Sequence, residues 1–140
     1  MANVIIHEND GVAVITRATS EWTGTLDELA TKLGISSYEI VDESKIPTDR
    51  TFRQAWVKGS GAVIEDITKS KAIAHVTRRE KRVAEFKPYD EIISLNIPGQ
   101  DATAAETERV KIRTKYETMQ TNIDNATDIA GIKTALGGAG

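Results

Sequence analysis

Two histidines, His7 and His75, are the residues of this chain best suited to proton transfer or metal ligation near neutral pH. His7 lies in a β-branched run and His75 in a helical stretch. Neither has a His or Cys partner at ligand spacing, so a metal site would need both brought together with carboxylates by tertiary contact. Solvent-facing or hydrogen-bonded structural histidines are the expected outcome. Ser and Asp are plentiful enough for a Ser-His-Asp arrangement, but no Gly-x-Ser-x-Gly elbow is present. Gly59-Ser-Gly61 reads as a turn. Gly-rich phosphate loops and dinucleotide fingerprints are absent. The carboxylate neighbours Asp27/Glu28 and Asp42/Glu43 fall in caps and loops. No catalytic residue, cofactor site or metal site is therefore expected, and the chain does not read as an enzyme.

Two other groupings could make contacts. Thr77-Arg-Arg-Glu-Lys-Arg82 lies within a stretch holding Lys69, Lys71, Arg78, Arg79, Lys81, Arg82 and Lys87. Such a helix could track phosphates. Glu80 and Glu85 interrupt it and no stacking aromatics accompany it, so a solvated outer face is the preferred reading. Phe52 and Trp56 are spaced to share one face of a short helix that Thr48 or Asp49 would cap. They are read first as an aromatic plug of the core, with Asp49, Arg50 and Arg53 as a local cap and ion-pair cluster. Trp22, Arg50, Arg53 and Trp56 are the candidate partner-binding residues, because exposed Trp and Arg are favoured interface anchors. Trp22 is the best exposed aromatic among them, with polar or small neighbours in Ser20-Glu-Trp-Thr-Gly24.

The elements that must position these groups follow from composition and periodicity. The 140 residues make one domain, or a small head with a helical appendage. A chain of this length buries roughly 68–70% of its unfolded surface, enough to fold without staples. The absence of cysteine excludes a disulfide scaffold, thiolate zinc and a Cys nucleophile. Lys and Arg total 18 against 21 Asp and Glu, a formal charge of -3, unlike proteins that grip phosphate backbones. No apolar run could span a bilayer, and Met-Ala-Asn-Val-Ile-Ile does not resemble a signal peptide. The expectation is a chain made in the cytosol.

Asn3-Val-Ile-Ile-His7 and Val12-Ala-Val-Ile-Thr16 flank Asn9-Asp-Gly11, which predicts a hairpin. Thr25-Leu-Asp-Glu28 is a capping box opening a helix over Leu26–Leu33, with Leu26, Leu29, Ala30 and Leu33 on one face. Gly34 is placed to end it. Tyr38–Asp42 reads as a strand with Tyr38, Ile40 and Asp42 on one side. Val57–Glu65 is a fourth strand or a second hairpin. From Asp66 the pattern turns helical. Ile67–Phe86 is one long helix capped by Asp66, with Ile73, Val76, Val83 and Phe86 along its stripe. Lys87-Pro88 should end or kink it, with a further turn or two over Tyr89–Asn96 and a break at Ile97-Pro-Gly99. Thr103-Ala-Ala-Glu106 is a second capping box. The helix it opens carries Ala105, Ile112, Tyr116, Met119, Ile123 and Ala126 as a narrow stripe. Ile112, Tyr116, Met119 and Ile123 are the candidate seam for intrachain packing or self-association. Thr127-Asp128 caps a last helix over Ile129–Leu136. The expected fold is α+β: an α/β head over residues 1–65, an antiparallel helical hairpin over 66–136, and a flexible tail over 137–140.

Ile40-Val-Asp42, Ile46-Pro47 and Asp49-Arg-Thr-Phe-Arg-Gln-Ala-Trp56 resemble a recurrent group of tailed-bacteriophage proteins. That group combines an N-terminal hairpin, a short helix, an I-V-D…P-x-D-R-T-F-R-x-A-W element and a basic helical tail. The resemblance covers roughly residues 2 to 85. Arg78-Arg-Glu-Lys-Arg82, Pro88-Tyr-Asp90 and the helix after them are loosely similar to phage tail assembly chaperones. The resemblance implies a non-enzymatic virion structural protein associated with the tail or tail fibre. It would be made in the host bacterial cytoplasm and have other tail or fibre proteins as partners, with a homo-oligomer as a further option. Membrane and nucleic acid are not expected partners. The alternatives are an assembly chaperone absent from the mature particle and, below it, a capsid-decorating or DNA-contacting protein.

Overall fold

A computed structural model of the chain describes residues 2–96 and 98–137. The fold is α+β, with N-terminal antiparallel sheets and a short helix followed by a long helical hairpin. Tertiary contacts divide it into two compact units, Met1–Ser70 and Lys71–Gly140.

In the first unit, β1 (Asn3–Asn9) and β2 (Val12–Thr16) form the predicted hairpin, with Asn9 opposite Val12 and Ile6 opposite Ile15. Asp10 and Gly11 make its two-residue turn with φ of 52° and 76°. Positive φ at both central residues is the type I′ geometry that matches strand twist. The strand β3 (Glu39–Asp42) pairs with the other edge of β1, with Val4 opposite Val41, so β1 is central. Both its edges are paired, and Val4, Ile5 and Ile6 are all buried, so both faces of β1 are covered as well. Val41, on the other side of β3 from Ile40 and Asp42, joins the buried cluster, because pairing with Val4 turns it to that face.

The helix α1 (Leu26–Lys32) starts at the predicted cap, where Thr25 Oγ1 accepts from the Glu28 N–H at 3.1 Å. Gly34 follows its end with φ of 75°. Ala30 is buried, but Leu33 is 54% exposed, because the helix ends one residue before it. The second hairpin, β4 (Trp56–Lys58) and β5 (Val63–Glu65), places Trp56 opposite Glu65. Trp56 and Val63 pack on Val4, Ile6, Ala13, Val41 and Ile46. The predicted helix joining Phe52 to Trp56 is not formed. A single 3-10 turn, Arg53–Ala55, lies between them, with no side-chain cap, and Trp56 is already extended. The ladder with Glu65 needs Trp56 in a strand, and that pairing overrides the i, i+4 signal. Asp49 instead accepts from the Thr51 N–H and hydroxyl at 3.0 and 2.6 Å. Both aromatics are still core, as expected, at 3% and 1% exposure.

The helix α2 (Ile67–Leu95) is capped by Asp66, whose Oδ1 accepts from the Lys69 N–H at 2.8 Å. Pro88 neither ends nor divides it, contrary to expectation. Proline removes the N–H that would reach the Ala84 carbonyl, and Ala84 and Pro88 both face solvent, where water can serve that carbonyl. The second long helix, α3 (Ala102–Asn125), begins at Asp101, which accepts from the N–H groups of Thr103 and Ala104. The predicted Thr103–Glu106 box is displaced by this earlier cap, and Glu106 is drawn to Arg109 and Arg113 at 2.7 Å each. The short helix α4 (Ile129–Ala135) is capped by Asp128 and buries Ile132, with Leu136 buried at its C-cap. Partner numbers fall along α3 as they rise along α2: Lys71 with Asp124, Glu85 with Lys115, Asp90 with Arg109. The two helices are therefore antiparallel. Ile97 and residues 138–140, parts of the predicted break and tail, lie outside the described residues.

The predicted stripe of α2 is corrected. Val76 and Val83 are 49% and 67% exposed, while Ala74, Arg78 and Phe86 are buried. Among the described residues, no helix is long and apolar enough to cross a membrane.

Pro88→Ala should restore the missing backbone bond and raise stability by up to about 3 kcal/mol in urea unfolding. A neutral or destabilising result would show that the ring makes compensating contacts. Asp101→Ala should lower stability by about 1 kcal/mol through loss of the α3 cap.

Candidate functional site

The head brings Arg50, Arg53 and Trp56 together. The guanidinium carbons of Arg53 and Arg50 lie 4.5 and 5.6 Å from the Trp56 ring centre, both within cation–π range. Arg53 Nη2 donates to the Ala13 carbonyl at 2.8 Å, tying the 3-10 turn to β2. Its Nη1 and the Trp56 indole N–H are buried without a hydrogen-bond partner. Burial first, and then the charge on Arg50, hold Arg53 below the ordinary arginine value. The indole itself is inaccessible, so a partner at this place would meet Arg50 at the surface. Trp22 is half-buried rather than openly exposed. Its indole N–H donates to the Thr25 carbonyl at 3.0 Å, and the Lys32 ammonium sits 5.3 Å from its ring. The small neighbour that suggested exposure is what lets the ring fold down: a Cβ on Gly24 would lie 3.0 Å from Trp22.

In the helical unit, Tyr116, Met119 and Ile123 are buried by the single chain, with Ile112 half-buried. Their stripe is consumed within the unit. Tyr116 is pushed up to about 12, first by burial and then by the neighbouring Glu85 carboxylate. Glu85 is in turn held below the usual carboxylate range, first by Lys115, which donates at 2.6 Å, and then by Tyr116.

The basic stretch is not a uniformly solvated face. Lys69 donates to the Gly11 carbonyl at 2.6 Å, Lys71 to the Asp124 carbonyl at 2.9 Å, and Lys81 to the Leu136 carbonyl at 3.4 Å. The last two carbonyls are at the ends of α3 and α4, where backbone acceptors lack helical partners and a cation is favoured. Charge periodicity alone gave no sign of this capping role.

Among the described residues, His75 forms a dyad that looks catalytic. Arg78 Nε is only a donor, so His75 Nδ1 accepts from it at 3.2 Å, and Nε2–H donates to Asp124 Oδ1 at 2.7 Å. With both ring nitrogens committed, the imidazole has none left to take a proton from a nucleophile or to ligate a metal. Its geometry orients Arg78. The i, i+3 spacing of His75 and Arg78 was the sequence signal for this pair, but Asp124 is contributed by tertiary contact. Among the described residues, no His, Cys, Asp and Glu cluster is arranged to hold a metal ion.

No family model, curated protein or solved structure matches this chain.

Arg53→Ala should destabilise the head by about 1.5–3 kcal/mol, the range for a hydrogen bond from a charged group. Arg50→Ala should stay within about 0.5 kcal/mol; equal losses would mean that the stacking, not the Ala13 bond, matters. Tyr116 has a raised folded pKa, so its contribution is intact below the ordinary value of 10.0 and is lost as pH rises through about 12. Denaturant midpoints followed across that window should fall more for the wild type than for Tyr116→Phe. Parallel curves would remove Tyr116 as the source.

Proposed function

We propose that this chain is a non-enzymatic structural protein of a tailed-bacteriophage particle, associated with the tail or tail fibre. Its head docks on a larger virion protein, and its helices pack against neighbours. The phage assignment rests on the resemblance carried by Asp49-Arg-Thr-Phe-Arg-Gln-Ala-Trp56. One observation supports the packing role: the apolar residues of α2 left outside the hairpin. Val76 and Val83 are seven residues apart on one helix face, and Val83 shares a shallow groove of about 360 Å³ with Leu95, itself 69% exposed. Intrachain packing buries Ala74, Arg78 and Phe86 instead, which leaves Val76 and Val83 exposed for another protein to cover. The α3 stripe, first read as a possible self-association seam, is already covered.

Mass spectrometry of purified particles should find the chain in fixed stoichiometry. Its absence from particles, with recovery from infected lysate bound to a tail or fibre protein, would replace the virion reading with the assembly-chaperone one. Val83→Glu, at an exposed position, should leave the fold within about 0.5 kcal/mol of wild type and reduce incorporation. Normal incorporation of a folded Val83→Glu would reject the α2 face as the contact.

A further inference from the structure

Three of the four lysines of α2, Lys69, Lys71 and Lys81, reach carbonyls; its three arginines do not. Arg78, Arg79, Arg82 and Val83 line one groove of about 520 Å³ with Tyr116, Glu117 and Gln120 of α3. Arg78 is 8% exposed, yet among the described residues no carboxylate lies within ion-pair distance of it. Neither of its Nη atoms is among the buried polar atoms that lack a partner, so the stem of the side chain is covered while its charged end opens to the groove. Among the described residues its hydrogen bond runs from Nε to His75 Nδ1. That leaves the Nη1/Nη2 edge without a bond to the chain, held in orientation by the Asp124–His75–Arg78 series. Arg82 is braced separately over Phe86 at 4.7 Å. Arg79 is exposed at the mouth.

We propose that this groove is a receptor for a single dianionic phosphate group. Planar guanidinium forks match phosphate oxygens in pairs, and a fork already fixed by a hydrogen bond loses less freedom on binding. Three guanidinium charges face one carboxylate, Glu117, so the surplus suits a dianion better than a lone carboxylate. The Gln120 amide adds a neutral donor. The site is discrete: Glu117 lines it, Lys71 and Lys81 are spent on helix ends, and the chain as a whole carries -3. A nucleic acid backbone would need a continuous run of cations instead. This proposal does not use the phage reading, although Val83 both lines the groove and belongs to the packing face proposed above.

Calorimetric titration of the full chain with inorganic phosphate should give saturable one-site binding, and acetate should bind far more weakly. Arg79→Ala and Arg82→Ala should each weaken phosphate by about tenfold, equivalent to one charge-assisted hydrogen bond. Glu117→Gln should tighten it, and His75→Phe should weaken it by releasing Arg78 without altering the groove lining. Circular dichroism on each variant separates these effects from unfolding. Arg79→Ala, at an exposed position, is the variant expected to remain folded in every case. Three results would overturn the proposal: no saturable phosphate binding, indifference of folded Arg79→Ala and Arg82→Ala, or weaker binding by folded Glu117→Gln. Tighter binding of a blunt duplex than of phosphate, with a salt dependence of several phosphate contacts, would also overturn it in favour of a polyanion surface.

Discussion

The helical unit depends on cations that reach backbone oxygen and carboxylates across the hairpin. The stripe that α2 turns inward contains Ala74, Arg78 and Phe86, with Glu85 half-buried beside them. That stripe cannot close like an apolar zipper. The deficit is met by directed contacts: Lys71 on the end of α3, Lys81 on the end of α4, Lys115 on Glu85, and Arg109 on Asp90 with its guanidinium 5.5 Å from the Phe86 ring. Each exposed ion pair contributes little alone. Helix-end carbonyls are different, because they have no partner within their own helix. Polar packing also fixes register, since a lysine aimed at one carbonyl tolerates less sliding than a leucine in a groove.

This explains what could be read from the sequence and what could not. Local chemistry was legible where one short stretch decides the outcome. Asp10-Gly11 specified its turn, Thr25 and Asp66 specified their helix starts, and Gly34 marked a helix end. The α3 stripe was legible because its apolar residues do face inward. On α2 the same logic held only in part: Phe86 is buried and Ile73 half-buried, but Val76 and Val83 face solvent while Ala74 and Arg78 are buried. The winning stripe is chosen by where α3 supplies carboxylates and carbonyls, and one helix examined alone does not contain that information. Pro88 misled for a related reason. A proline rule describes the local cost, while Phe86 and Asp90 on either side both meet Arg109 and hold the helix through it.

In the head, the aromatic pair was assigned to the core correctly and to a helix wrongly. Spacing by four residues is compatible with a helical face, but it also fits a turn followed by a strand. What decides is the partner strand at Glu65, which is not visible from Phe52 and Trp56 themselves. The candidate residues divide in the same way. Arg50, Arg53 and Trp56 do converge, yet the indole is enclosed. The His75, Arg78 and Asp124 series was not anticipated, because its third member comes from the far end of the hairpin.

The proline in α2 also has a dynamic consequence. Without an N–H at residue 88, one hydrogen bond is missing from the ladder, and the turns beyond it are thinly covered, with Leu95 69% and Ile93 36% exposed. Local opening free energy follows such coverage. Residues 89–95 therefore form the segment of α2 that detaches at least cost. Beyond the Asp90–Arg109 contact, their amide protons are expected to exchange with solvent ahead of those around Ala74 and Arg78. The long helix is continuous in shape but has two different strengths along its length.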